Sequence, residues 1–332
     1  MRTFLAPLRL SLAGGGTDVP PFCNQSGSKV INLAINKFVK VEIEEIKNQF
    51  SLKKTADVFV RSTSGYSQPE NQFAQQLSRS IEHHFSLKEN LAITITNPVR
   101  PNSGLGTSST MIVATLKALD VVLGTKKQDM DLIALALQIE RIEMGVKGGF
   151  QDFFPAIFGG LNLINFDKES KEWTCSKFPI TESFVSILNR SLFAIELGIL
   201  RDSERVIEDQ IERSLKADSL TTMALKRQLD IVDSLGKAIE AEDFDSIVIC
   251  VDQSYESKKN FSPLITNEII NQTESALKAL GGRGIKVSGA GGGGHMFCFF
   301  PEGKPDSLLG SVPTSMKTLD FQFEQRGFRE IT

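Results

Sequence analysis

The chain switches repeatedly between two hydrophobic periods. Residues 3–13 form a β-like run, and residues 29–34 and 38–46 predict a second pair of strands. Residues 71–86 then take up the helical period, with Phe73, Leu77, Ile81 and Phe85 on one stripe. A strand with strict alternation follows at 91–96. Next, Ile112, Leu116, Leu119 and Leu123 recur at helical spacing, and Gly124 stands where a helix would stop. A further helix is predicted from a cap at Asp129 or Asp131 to about Met144. Leu132, Leu135, Ile139 and Ile142 mark its apolar side, and Glu140 lies on a different face. Residues 158–166 read as a strand.

Between 167 and 183 the composition turns polar, and a domain boundary is expected there. Beyond it the pattern predicts a strand at 191–197 and helices near 203–214, 219–241, 244–259 and 267–279. A glycine-rich segment at 285–300 and a strand near 316–323 complete the chain. Helices mixed with antiparallel strands in both halves indicate an α+β architecture.

Two stretches stand out from this periodic background. PNSGLGTSST (residues 101–110) leads from a strand directly into an apolar helix. Such a loop offers unpaired backbone N–H groups, first-turn hydroxyls and about half a positive charge from the helix dipole. That is an anion site, and nucleotide phosphates commonly occupy one. The alternative is a plain capped helix with Ser108 or Ser109 as the cap. The second stretch is Gly14, Gly15, Gly16, Thr17 and Asp18 after the first strand, where three glycines let a ligand approach the main chain closely. A tight turn between strands is the alternative.

Composition narrows the function classes. At 332 residues, two domains are expected. Hydrophobic content of 41% and charged content of 23% are those of an ordinary globular chain. A net charge of −3 gives no basic field for nucleic acid or an anionic membrane. The four cysteines, Cys23, Cys175, Cys250 and Cys298, have no paired spacing and read as reduced thiols of a cytoplasmic protein. No apolar run is long enough to span a bilayer, and Arg9 interrupts what could pass for a signal peptide. There is no CxxC or HExxH zinc pattern, no GxxxxGK[ST] P-loop, and no HRD or DFG protein-kinase signature. Residues 289–294 match GxGxxG literally. A β-like run follows them rather than the helix that a dinucleotide fold needs, so an oxidoreductase is the weaker reading.

Three segments in order carry a resemblance. APLRLSLAGGGTD (residues 6–18) resembles the "APGR…GEHTD" segment of the GHMP sugar and small-molecule kinases. PNSGLGTSST resembles their "PxxxGLGSSA", and VSGAGGGGH (residues 287–295) their "SGAGxGG". Each alone is weak; the ordered triplet, spanning most of the chain, is specific. AGGGTDVPPF, with Gly149-Phe-Gln-Asp152 and Phe158-Gly-Gly, is most similar to the D-glycero-α-D-manno-heptose 7-phosphate kinases. Fucokinase-type sugar kinases have a comparable first motif.

The resemblance implies a two-domain GHMP-kinase-like α+β fold. Residues 1–175 would form the N-terminal, ribosomal-protein-S5-domain-2-like domain, and 176–332 the C-terminal, ferredoxin-like domain. It implies transfer of the ATP γ-phosphoryl group, with Mg²⁺, to the anomeric hydroxyl of heptose 7-phosphate. The product would be a 1,7-bisphosphate on a route to a nucleotide-activated heptose for surface polysaccharide. Ser103, Gly104, Leu105, Gly106, Thr107, Ser108 and Ser109 would hold the ATP phosphates. Ser108 and Glu140 would bind the metal, with Glu143 as the fallback one turn away.

Asp152 would be the general base, with Arg9 holding it ionised; the alternatives are a helix N-cap and a surface arginine. Gly15, Gly16, Thr17, Asp18, Gly149, Arg201, Gly291 and Gly292 would meet the acceptor, with Asp18 orienting sugar hydroxyls. Arg201, Lys29 and Lys147 are the candidate cations for the 7-phosphate. The chain departs from the galactokinase pattern at Leu8, which replaces a glycine, and at Gly15 and Gly16, which replace Glu-His. That opens space suited to a larger or phosphorylated acceptor. Other acceptors of the fucokinase or galactokinase kind, and a non-catalytic ATP or sugar sensor, are the competing readings. The expected partners are small molecules, for a monomer or homodimer.

Overall fold

The computed structural model describes residues 1–46, 58–64, 70–87, 90–100, 102–199, 203–305 and 316–331. In chain order the strands are β1 (Arg2–Ala13), β2 (Ser28–Ile46), β3 (Val58–Ser64), β4 (Asn90–Asn97), β5 (Leu161–Phe166), β6 (Trp173–Lys177), β7 (Leu192–Glu196), β8 (Arg283–Val287), β9 (His295–Phe299), β10 (Lys317–Leu319) and β11 (Arg329–Ile331). The helices are α1 (Phe22–Ser26), α2 (Glu70–His84), α3 (Thr107–Leu123), α4 (Asp129–Leu137), α5 (Phe153–Phe158), α6 (Glu182–Ser191), α7 (Ser203–Leu215), α8 (Ser219–Glu240), α9 (Phe244–Lys258) and α10 (Glu268–Ala279). A π-helical segment, Gln138–Glu143, continues α4. The α+β class expected from the pattern is the class observed.

The strands make two sheets. The first runs β11-β1-β2-β4-β3, with β5 and then β6 attached to β2. The second runs β10-β7-β9-β8. Only β3 and β4 pair in parallel; the other described pairs are antiparallel.

Where two strands were expected at 29–34 and 38–46, a single long β2 runs through. Pro7 pairs with Phe38 and Leu8 with Ile35, so Asn36 and Lys37 are absorbed as a bulge that bends the strand without ending it. The bend lets one strand serve two neighbours: β2 pairs with β5 over 28–33 and with β4 over 40–46. β6 falls inside the segment read as a polar boundary. It is an edge strand exposed at most of its positions, so it carries no apolar period to read.

The C-terminal strand expected over 316–323 is shorter, ending at Leu319. The chain then leaves the second sheet: Phe323 bridges to Ile35, and β11 pairs with β1. The end of the chain thus closes the edge of the first sheet.

Helix α3 is buried on nearly every face, including Ile112, Val113, Ala114, Thr115, Leu116 and Leu119. It packs on β1, β2 and β4, with α4 and α5 against it. Phe153 and Phe154 of α5 are fully buried, worth roughly 1.5–3 kcal/mol each. The same core takes in Val232 and Leu235 of α8 and Val248 and Val251 of α9, so the second half seals the first sheet. A second cluster, including Phe193, Ile195, Tyr255, Phe261 and Val287, lies under the second sheet. Among the described residues no helix is long and apolar enough to cross a membrane.

Candidate active site

The site is built where the loop after β4, the end of β1, the turn before α5 and the glycine-rich β8–β9 connection converge. Helix α3 begins at Gly106, which has φ +82° and so adopts a left-handed conformation closed to most residues. No side chain caps this end, and its first turn carries no acid. Ser108 and Ser109, the expected caps, lie inside the helix instead. Both hydroxyls donate to Glu140, to Oε1 at 2.5 Å and Oε2 at 2.6 Å. The first-turn amides and the positive end of the dipole are therefore left facing the loop, which suits an anion.

Arg9, from the middle of β1, is buried at 2% exposure rather than lying on a strand surface. Its Nε and Nη2 contact Asp152 Oδ1 at 2.7 and 2.6 Å, and its Nη1 donates to the Gly104 carbonyl at 2.6 Å. One guanidinium thus ties the carboxylate to the loop before α3, a use of its planar fork that lysine could not copy. Asp152 occupies the N-cap position of α5 but makes no capping hydrogen bond. Its Oδ2 lies beside Gly106, 3.3 Å from where a Cβ there would stand. The carboxylate and the loop that leads into α3 are in contact.

Glu140 is 1% exposed, and Arg141 pairs with it at 3.0 Å. Its inward position comes from the π-helical turn, closed by Met144 N donating to Ile139 O; just beyond it Val146 N donates to Glu140 O. The extra residue in that turn rotates Glu140 toward Ser108 and turns Ile142, expected on the apolar side, out to 76% exposure. Glu143 points elsewhere, accepting from Ser80 at 2.6 Å, pairing with His84 at 2.6 Å and accepting from Gln138 at 3.2 Å.

One carboxylate and two hydroxyls form an all-oxygen set of the kind a hard divalent cation takes. Among the described residues no group of three His, Cys, Asp or Glu converges, so oxygens from a bound phosphate would have to complete such a shell.

The glycine-rich connection backs the loop before α3. Ser288 Oγ donates to the Gly104 carbonyl at 2.8 Å, and His295 Nδ1 lies 2.8 Å from the Ser103 carbonyl. A Cβ at Gly294 would stand 2.5 Å from that same carbonyl oxygen. Lys258 hydrogen-bonds the Gly289 carbonyl. Lys286, wholly buried, donates to Leu12 O at 2.8 Å and Ser254 Oγ at 3.0 Å. Burial holds its amine well below the usual lysine range, and the nearby charges of Lys258 and Arg9 push the same way.

Residues 72–160 match the family model described as GHMP kinases N terminal domain, and residues 236–318 that described as GHMP kinases C terminal. The chain belongs to the GHMP kinases. A D-glycero-alpha-D-manno-heptose 7-phosphate kinase from Campylobacter jejuni is 26% identical to it, the match covering 97% of this chain and 96% of that one. A bifunctional fucokinase/GDP-fucose pyrophosphorylase from Arabidopsis thaliana is 23% identical over 87% of this chain but only 29% of its own length. Among solved structures, a D-glycero-D-manno-heptose 1-phosphate kinase from Bacteroides thetaiotaomicron superposes with a TM-score of 0.76 at 23% identity, covering 100% of this chain and 99% of that one. A galactokinase from Lactococcus lactis in complex with galactose gives 0.73 at 14% identity, covering 99% and 95%. As a GHMP kinase the protein is an ATP-dependent phosphotransferase acting on a small-molecule alcohol.

The kinase places the remaining expected residues unevenly. Ser103, Gly104, Leu105, Gly106, Thr107, Ser108 and Ser109 surround the start of α3. Gly15 lies beside Gln151 in the turn before α5, and a Cβ there would stand 2.9 Å from Ser11 Oγ, so the space expected at this glycine is filled by the protein's own side chains. Gly16 abuts Phe261, and its carbonyl accepts from Gln210 at 2.9 Å. Thr17 is fully buried, its hydroxyl donating to Gly14 O at 2.8 Å, so it shapes the turn from inside. Asp18 is fully buried as well and meets Gly149. Gly291 and Gly292 pack on Leu264, Ile265 and Val206 of the second half; Ser288, Gly294 and His295 reach the Ser103–Gly104 backbone in their stead.

Arg201 lies outside the described residues. Lys29 pairs with Asp233 at 2.6 Å, and Lys147 with Glu208 at 2.5 Å, both on the surface. Sequence reasoning did not single out Asn32, Arg141, Gln151, Ser288 or His295. Ser288 and His295 lie within the third glycine-rich motif and Gln151 within Gly149-Phe-Gln-Asp152, whereas Asn32 and Arg141 carry no signal of their own.

Proposed function

We propose that this kinase transfers the γ-phosphoryl group of ATP to the anomeric C1 hydroxyl of D-glycero-α-D-manno-heptose 7-phosphate. The products are the 1,7-bisphosphate and ADP. What carries the reading is the contact between Asp152 and the phosphate loop. Arg9 occupies Oδ1 of Asp152, while Oδ2 faces Gly106 and the start of α3, where the triphosphate would lie.

The C1 oxygen forms a bond to the γ-phosphorus as the bond to the β-bridging oxygen breaks, and the hydroxyl proton passes to Asp152 Oδ2. First-turn amides of α3 hold the phosphates, and Arg9 fixes the base and adds positive charge beside the transferred group. Magnesium, when bound by Glu140 and Ser108, would neutralise phosphate charge.

The heptose assignment rests on relatives whose names include heptose phosphate kinases. The test is ATP consumption with heptose 7-phosphate, heptose 1-phosphate, unphosphorylated heptose, L-fucose and galactose. Turnover confined to heptose 7-phosphate supports the proposal. Preference for heptose 1-phosphate or for a free sugar replaces the acceptor while leaving the kinase chemistry in place.

A further inference from the structure

Asp18 sits in the first glycine motif, where the resemblance to sugar kinases would have it grip the acceptor. Its side chain is fully buried, and its carboxylate, which can only accept, is taken up by the protein. Oδ1 accepts from the Gly16 amide at 2.9 Å. Oδ2 accepts from the amides of Phe150 and Gln151 at 2.8 and 3.0 Å, with Gln151 Nε2 at 3.4 Å.

Gly149 makes this approach possible, because a Cβ there would stand 2.1 Å from Oδ2. From the other side, buried Asn32 of β2 donates to the Gln151 carbonyl at 3.2 Å and is itself held by Asn162 at 3.3 Å. Both polar groups of the Gln151 backbone, directly before Asp152, are therefore clamped by side chains from elsewhere in the chain.

We infer that Asp18 is a positioning residue: it sets the backbone of the Gly149–Gln151 turn so that Asp152 meets the phosphate loop, and it does not bind the acceptor. The glycine motif and the catalytic turn are then one unit, joined by a carboxylate. Loss of the latch leaves the site assembled but lets Asp152 drift, and displacements of about 1 Å at a reacting group cost on the order of 10²-fold in rate. An amide at position 18 cannot accept from both sides, since its NH₂ must face either Gly16 or the two turn amides.

This inference rests on Asp152 as the base, which Asp152→Ala, assayed alongside, tests separately. The experiment is a double-mutant cycle with Asp18→Asn and Gly149→Ala, whose methyl group would evict the carboxylate from its place. For each variant, kcat and the calorimetric affinity for heptose 7-phosphate are measured, with melting curves to show that it is folded at the assay temperature. Each single variant is expected to lose kcat on the order of 10²-fold with acceptor affinity unchanged, and the double variant to be no worse than either single one. Should Asp18→Asn not fold, Gly149→Ala alone must give the same split. Lost acceptor affinity, an unchanged kcat, or losses that multiply in the double variant overturn the inference.

Discussion

Arg9 and Asp152 are 143 residues apart in sequence and meet at 2.6 Å, with the guanidinium 3% exposed and the carboxylate 21% exposed. On the proposed function the pair would supply what phosphoryl transfer asks of a protein: a placed base, a fixed positive charge and a link to the loop before α3.

Removing either partner should therefore separate chemistry from binding. Asp152→Ala is expected to lower kcat by about 10²–10⁴-fold with ATP affinity little changed. Arg9→Lys keeps the charge but loses the fork that reaches both Oδ1 and Gly104 O, and should cost on the order of 10²-fold. Steady-state kinetics with both substrates varied checks this; near-normal turnover in Asp152→Ala would remove it from the base role.

The two acids of the π-helical turn should behave differently. Glu140→Gln is expected to raise the magnesium concentration needed for half-maximal turnover, because the substituted amide is a weaker ligand than a carboxylate. Glu143→Gln, which faces Ser80 and His84, should leave that requirement unchanged. Magnesium titrations of the two variants decide it, and the reverse ranking would move the metal site by one turn.

Glu143 also sets a pH dependence of stability. Burial pushes its carboxyl up, but the hydrogen bonds from Ser80 and His84 outweigh this and hold it below the ordinary 4.5. The folded chain then binds this proton less readily than the unfolded chain. Its stabilisation is fully present above pH 4.5 and is lost as pH falls through the lowered folded value. Urea midpoints should show Glu143→Gln less stable than the parent near neutrality, with the gap closing in acid. A gap that widens in acid contradicts the assignment.

The π-helical register makes its own prediction. Ile139 is fully buried, and Ile139→Ala should cost about 2–5 kcal/mol. Ile142, at 76% exposure, should tolerate Ile142→Ser to within about 0.5 kcal/mol. Denaturant unfolding measures both; equal costs would mean that a regular α-helix continues to Met144.

The sequence by itself determined the α+β class, most of the longer helices and the three glycine-rich stretches, but not β3, α6 or β11. These are local properties: period two or period three to four in the apolar residues, and glycine where the backbone needs room. It could not determine that residues 28–46 form one strand, because a bulge is defined by the partner strand and not by the strand's own pattern. It could not place Glu140, since a single extra residue in a helical turn shifts the face without altering the composition.

Only the tertiary structure decided that Arg9, Asp152 and Gly104 meet, that Asp18 is turned inward, and that Ser288 and His295 brace the loop from the second half. Those contacts join positions 95 to 192 residues apart, and no local periodicity records them. They exist because the second half packs α8 and α9 onto the first sheet, burying enough apolar surface to fix four separate chain segments around one small volume.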